Sequence, residues 1–488
     1  MKKDKLFFKN KLESFIYEEM DDTRYEVIRI DSSKLLTWNR FDLAFKLFYL
    51  EIRYKNSDLA VKIYEEDIRC QTASQFSEFG NKNKNSFIAY VEEFDKIFNS
   101  IKVNGFEEQK SIIPLSSNGT VGNGAHRTSC AIFLNEEVSC VKLNLNENIC
   151  DYKFYYERNV STDILNLIAT KFIDYSLNTY VAFLWPSGSS NTKKVQECFS
   201  NVVYKTDIML NINGAFNLLH ELYKHMDWIG SSNNNFEGIQ QKIVECFPNF
   251  ETFKVVVFQA DSLEDVREVK EKVRNICNIG FSSIHITDTK EEATRISKLI
   301  LNENGLHFLN YAHPYKFTSF KLKQNKFTDF ITLNKLNVDD IILDSSTLME
   351  LYGIRESNDI DYLAFDNAMI TSKVVDIEEH SEELVYHDEK KIDLLYNPKF
   401  HFYYQNMKFI SFTQLHRMKL NRNGVKDRND INMMNAFIEN NSLKMMKTSF
   451  YQFLLYTKVK FRQSVILGLK KIGLYNNMKR MYDKYLRK

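Results

Sequence analysis

The chain has 488 residues, 44% of them hydrophobic and 26% charged, so it exceeds the size at which one core stops growing and is expected to fold as two or three globular domains. Sixty-five Lys and Arg against 64 Asp and Glu leave a formal charge of +1, without the basic excess of a protein whose main partner is nucleic acid, and no DNA is expected. Seven scattered cysteines lack zinc spacing, and neither a signal-peptide core nor the roughly 18 apolar residues of a transmembrane helix is present, so a cytoplasmic location is expected.

Only 5 prolines and 15 glycines occur, and no Gly/Ser linker separates the parts, so the domains are expected to pack directly on one another. Residues 1–175 read as mixed α/β, with helical spacing over 41–53 and 86–99 and strands over 111–115 and 138–143. Between those strands runs Asn118-Gly-Thr-Val-Gly-Asn-Gly-Ala-His-Arg127. Gly122 and Gly124 allow close backbone approach, and Ala125–Arg127 open a helix, which together make an anion site with a guanidinium.

Residues 86–143, with this loop and a helix–strand–loop–helix–strand order, resemble the ParB/sulfiredoxin fold. The resemblance implies that Gly122, Gly124, His126 and Arg127 bind nucleotide phosphates. The loop holds no Cys and no helix-turn-helix follows residue 150, which leaves a small-molecule kinase among the relatives; Glu78, Glu92 and Glu93 are then candidates for its general base. A helix cap with a surface ion pair is the competing reading of His126-Arg127.

Residues 176–330 open with the apolar run TYVAFLW, and FKVVVFQA precedes the helix SLEDVREVKEKVRNIC, capped by Ser262. SSIHIT then leads into DTKEEATRISKLILN, a β-α-β-α rhythm that points to an α/β layer. His285 and Asp288 at the strand-to-helix turn form a possible reactive pair, with Thr287 or Asp288 as an N-cap the simpler account.

In residues 331–440 the strand DIILD ends in Ser345-Ser346, a helix runs to Gly353, and DIDYLAF carries Asp359 and Asp361. Residues two apart on a strand share a face, so both carboxylates reach one site. Asp393 lies in KKIDLLYN, read as a further strand beside the first. Three such oxygen ligands suit Mg²⁺ (or Mn²⁺), whereas a D-x-D pair alone is more often a solvated strand face.

This order resembles the nucleotidyltransferase superfamily typified by DNA polymerase beta, over about 100 residues. The resemblance implies that Ser345 and Ser346 contact the triphosphate of ATP or another NTP, and that Asp359, Asp361 and Asp393 are catalytic and hold the metal. The chain departs from the family at Asp344, where a glycine is expected. Farther on, His416–Ile431 is similar to the Lys/Arg-rich helix of bacterial members, with Lys419, Arg422 and Lys426 as phosphate-neutralising candidates, while Asp427 and Asp430 read as helix caps.

The tail, 441–488, mixes aromatics and leucines with many Lys and Arg, the composition of an amphipathic helix that lies on an anionic membrane face through 449–488; a packed terminal helix is the alternative. It resembles tails of bacterial surface-polysaccharide biosynthesis enzymes. The sequence therefore reads as a multidomain α/β enzyme with α+β elements: a ParB/sulfiredoxin-like domain (1–175), a middle α/β unit (176–330), a nucleotidyltransferase domain (331–440) and a basic tail. The expected reaction transfers a nucleotidyl group from an NTP to a small phosphorylated acceptor, with the N-terminal domain as a possible kinase for that acceptor. Two other readings remain: a toxin-type or stress nucleotidyltransferase that modifies RNA or protein, and a non-catalytic nucleotide-binding regulator.

Overall fold

In the computed structural model, which describes residues 2–78, 84–232, 236–366, 368, 370–439, 443, 447, 450, 457, 461 and 464–485, three β-sheets follow one another along an α/β chain. The first comprises β1 (Lys2–Asp4), β2 (Arg24–Asp31), β3 (Ile113–Leu115) and β4 (Glu137–Lys142) in the order β1-β2-β4-β3, with β3 and β4 parallel and the other pairs antiparallel. The second comprises β5 (Thr179–Leu184), β6 (Val202–Ile208), β7 (Phe253–Gln259) and β8 (Ile284–Ile286) in the order β6-β7-β5-β8. The third, β9 (Ile341–Asp344), β10 (Ile360–Ala364), β11 (Ile377–Glu379), β12 (His401–Tyr404) and β13 (Met407–Ile410), is mixed, in the order β11-β10-β9-β13-β12.

The β-α-β-α rhythm of the middle unit leaves its strand order open, and the structure supplies it. All neighbouring strands of this sheet are antiparallel. Strands β7 and β8, joined by the helix Leu263–Cys277, run parallel to each other but are separated by β5, a split β-α-β arrangement. The run Val255-Val256-Val257 dictates a buried strand, not which strand lies beside it. The helix over 41–53 forms as Asp42–Ile52, and the one over 86–99 extends to Asn104 with Ser86 as its cap.

KKIDLLYN departs from its expected strand. It forms the short helix Lys391–Tyr396, with Leu394, Leu395 and Tyr396 buried in succession. An apolar run this short satisfies a strand or a buried helical turn equally, and here β12 and β13 complete the sheet instead.

One hydrophobic cluster runs from Leu36 to Met434, so the parts that carry the three sheets pack directly on one another. Between the helices Asp42–Ile52 and Ser57–Gln71 lies a buried ionic chain. Arg40 grips Asp42 with two hydrogen bonds of 2.8 Å, and Lys46 lies 3.4 Å from Asp42 and 2.6 Å from Asp67. Tyr155 and Gln71 each donate to Asp67 at 2.6 Å. Of the tail, 464–471 and Tyr475–Tyr485 are helical; much of the expected helix over 441–463 lies outside the described residues. Among the described residues no helix is long and apolar enough to cross a membrane.

Lys46 is fully buried between two carboxylates, and because Arg40 still holds Asp42, removing it leaves Asp67 buried without a cation. Lys46→Ala is expected to cost about 3–5 kcal/mol, measured by urea unfolding. A loss under about 1 kcal/mol would show that the pairing contributes little.

Candidate functional site

In the third sheet β9 and β10 pair antiparallel with Asp344 opposite Asp361. Directly opposed residues project to the same face, and Asp359, just ahead of β10, shares it with Asp361. Strand β11 runs parallel to β10 with Glu378 in register with Asp361, so Glu378 and the following His380 join that face. His380 Nδ1 lies 3.6 Å from Asp344 Oδ2, and His387 Nε2 lies 3.3 Å from the same oxygen.

Asp344 is fully buried, and its Oδ1 accepts the Ser345 N–H at 2.7 Å. Burial pushes its carboxyl up, but the hydrogen bond from His387 and the charge of His380 and His387 outweigh this and hold it below the usual carboxylate range. His380 is the counterpart: burial lowers its imidazole, while Asp344 and Asp361 raise it above the ordinary histidine value. Asp361 is attracted by His380 and accepts a hydrogen bond from the Ser345 side chain, but burial outweighs both. Burial, with added repulsion from Asp359 and Asp344, pushes its carboxyl up to about 6 despite the pull of His380.

Ser345 carries the turn. Its backbone sits at φ 61° and ψ −136°, a conformation that glycine reaches freely and serine only under constraint. The glycine-like position therefore falls on Ser345, one residue after Asp344. Ser346 Oγ lies 3.4 Å from Asp359 Oδ1, and Thr347 Oγ1 donates to the Asp359 carbonyl at 3.2 Å.

Asp393 does not reach this face. Because its segment is helical, its carboxylate turns toward the N-terminal unit and accepts from Asn56 Nδ2 at 2.8 Å. Its expected role as a metal ligand is replaced by that of an inter-unit contact. Lys419 is likewise 1% exposed and pairs with Asp430 at 2.8 Å, an acid that also holds Arg355 through bonds of 2.7 and 2.8 Å. Asp430 is thus the centre of an ion cluster and not a cap. Arg422 grips Asp427 at 2.8 and 3.0 Å and Glu383 at 3.2 Å. Asp427 does cap its helix, accepting from Gly424 N at 3.0 Å. Lys426 is exposed on the first turn of that helix.

The N-terminal loop faces a cavity of about 640 Å³. Gly122, Gly124, His126 and Arg127 all line it, together with Arg40 and Lys84, which composition and spacing did not single out. Gly124 has φ 91°, and a Cβ there would meet the Arg127 guanidinium at 2.8 Å. Arg127 pairs with Glu13 at 2.7 Å and donates to Ser111. His126 shares a 2.6 Å hydrogen bond with the Tyr64 hydroxyl, and burial pushes its imidazole well below the ordinary value, so it is neutral. Arg40 donates to the Val121 carbonyl, which ties the loop to the buried ionic chain. Of the candidate bases, Glu78 and Glu93 line the cavity; Glu78 pairs with Lys84 at 2.9 Å.

His285 and Asp288 do not pair with each other. His285 Nε2 lies 3.3 Å from Glu292, Asp288 pairs with Lys270 at 2.6 Å, and the helix N-cap is Thr289. Among the described residues no set of three or more His, Cys, Asp or Glu is arranged to hold one metal ion. Comparisons with family models, curated proteins and solved structures return no match to this chain.

The raised Asp361 carboxyl has a consequence for stability. Its folded value lies above the unfolded one, near 4, so native stability falls as pH rises toward about 6 and stays lower beyond it. Asp361→Asn removes that loss. It is expected to stabilise the metal-free protein above pH 6 by up to about 3 kcal/mol, with a gain that shrinks as pH falls. Denaturant unfolding at pH 5 and pH 8 checks this; an equal effect at both values would contradict it.

Proposed function

We propose that the face bearing Asp359 and Asp361 is the metal–nucleotide site of a nucleotidyltransferase, and that this chain transfers a nucleotidyl group from an NTP to a small phosphorylated acceptor. One observation carries the reading: the carboxylates share a sheet face beside a glycine-like Ser345 turn, with Asp361 under-neutralised. A divalent cation there supplies the charge that lowers the cost of ionising Asp361 and helps stabilise charge developing at phosphorus. Two carboxylates suffice for Mg²⁺ when phosphate oxygens and water complete its shell.

Asp359 and Asp361 would hold the cation, while the Ser345 and Ser346 hydroxyls, which lie against these carboxylates, would turn to the triphosphate when it binds. The one-residue shift of the glycine-like position to Ser345 answers the objection raised by Asp344. That acid is turned inward onto His380 and His387, so it does not face the phosphates as a bare charge. Glu378, exposed and in register with Asp361, is the residue placed to act as a third acid in place of Asp393.

The mixed-charge cavity at the N-terminal loop supports a second phosphate-bearing substrate, consistent with a kinase step that supplies the acceptor. Product of this kind, an NDP-activated small molecule, fits surface-glycan assembly.

Incubation with Mg²⁺, each NTP in turn and a metabolite extract is expected to release pyrophosphate. Asp359→Ala and Asp361→Ala should lower turnover at least about 1000-fold, Glu378→Gln about tenfold or more, and Asp393→Ala less than about threefold. Unchanged turnover in both Asp359→Ala and Asp361→Ala would refute the assignment. Label transferred from NTP to RNA or protein would favour a macromolecular acceptor instead.

A further inference from the structure

The charge of this chain is segregated. Residues 449–488 hold ten lysines and arginines and a single acid, Asp483, while the rest of the chain has eight more acids than bases. The near-zero total conceals a strongly cationic end on an acidic body.

The helix Tyr475–Tyr485 arranges this segment in two faces. At about 100° per residue, Leu474, Met478 and Met481, flanked by Tyr475, fall within an arc of about 120°. Lys479 and Arg480, with Asn476 and Asn477, occupy the remainder. The apolar stripe is not packed against the body: Leu474 is 47%, Met478 52% and Met481 62% exposed. The preceding helical turns continue the pattern, with Val465 44% and Leu467 59% exposed beside exposed Lys470 and Lys471.

Three occupants have the chemistry to meet such a surface. A nucleic acid would pair with the cations but gain little from an uncovered leucine–methionine stripe. A second copy of the tail carries the same positive charge and is repelled. An anionic lipid surface takes both features at once, cations at the headgroups and the stripe at the acyl boundary, with Tyr475 at the interface between them. We propose that residues 464–485 form an in-plane anchor that holds this chain on an anionic membrane surface. The inference does not depend on the nucleotidyltransferase reading.

Sedimentation of the full-length chain with vesicles tests it. Vesicles of phosphatidylcholine with about a third phosphatidylglycerol are expected to bind at least about tenfold more tightly than pure phosphatidylcholine, and less so as salt rises. The double variant Met478→Asp/Met481→Asp should lose at least about tenfold in binding, and Lys479→Gln/Arg480→Gln about fivefold or more, with unchanged thermal melting. Equal binding to neutral vesicles, no binding at all, or full binding by the Met478→Asp/Met481→Asp variant would overturn the proposal. So would tail-dependent RNA binding or dimerisation in a protein that leaves the vesicles unbound.

Discussion

Like charges gathered on one sheet face set the terms for the C-terminal unit. The register of β9 against β10 places Asp344 opposite Asp361, with Asp359 two residues along, and carboxylates so placed repel unless protonated or neutralised. The fold neutralises the deepest of them itself. His380, from the turn after β11, and His387, which follows a short helical segment, both converge on Asp344. Burial, helped by repulsion from Asp359 and Asp344, outweighs the pull of His380 on Asp361 and drives its carboxyl up to about 6. The strained Ser345 backbone lies at the same point.

The two candidate sites are mechanically joined. Asn56 caps the helix Ser57–Gln71 through its side-chain oxygen and donates its amide to Asp393. The same helix carries Tyr64, which holds His126, and Asp67, which anchors the ionic chain ending on the Val121 carbonyl. Lys55 adds a 2.5 Å bridge to Asp340. Farther along the junction, Lys171 pairs with Glu51 and Asp174, and Lys298 lies between Asp174 and Asp339. Behind them Lys408, whose ammonium burial pushes down to about 7, is satisfied by the carbonyls of Asp339 and Leu395. Helix, loop and sheet are therefore tied to one another by polar contacts as well as by the shared core.

Much of this was legible in the sequence because periodicity and capping are local. Ser86, Ser262 and Ser411 each accept a backbone N–H at a helix start, and the strands carrying Asp344 and Asp361 formed where apolar runs placed them. What escaped was non-local. Whether IDLLY is strand or helix depends on which strands already fill the sheet, so Asp393 was assigned to the wrong neighbour. Lys419 and Arg422 look like free cations in sequence, yet both are consumed by Asp427, Asp430 and Glu383. The partners of Asp344, His380 and His387, lie 36 and 43 positions away, and Arg40 lies 81 from the loop it ties. Only the His-Asp contact and the cross-strand register expose them.

The most direct measurement is Mn²⁺ binding by electron paramagnetic resonance, in the presence of a nonhydrolysable NTP. Nucleotide-dependent Mn²⁺ binding by the intact chain, lost in Asp359→Ala and Asp361→Ala but kept in Asp393→Ala, is the predicted result. Mn²⁺ binding that survives both substitutions, or that disappears with Asp393→Ala alone, would contradict it.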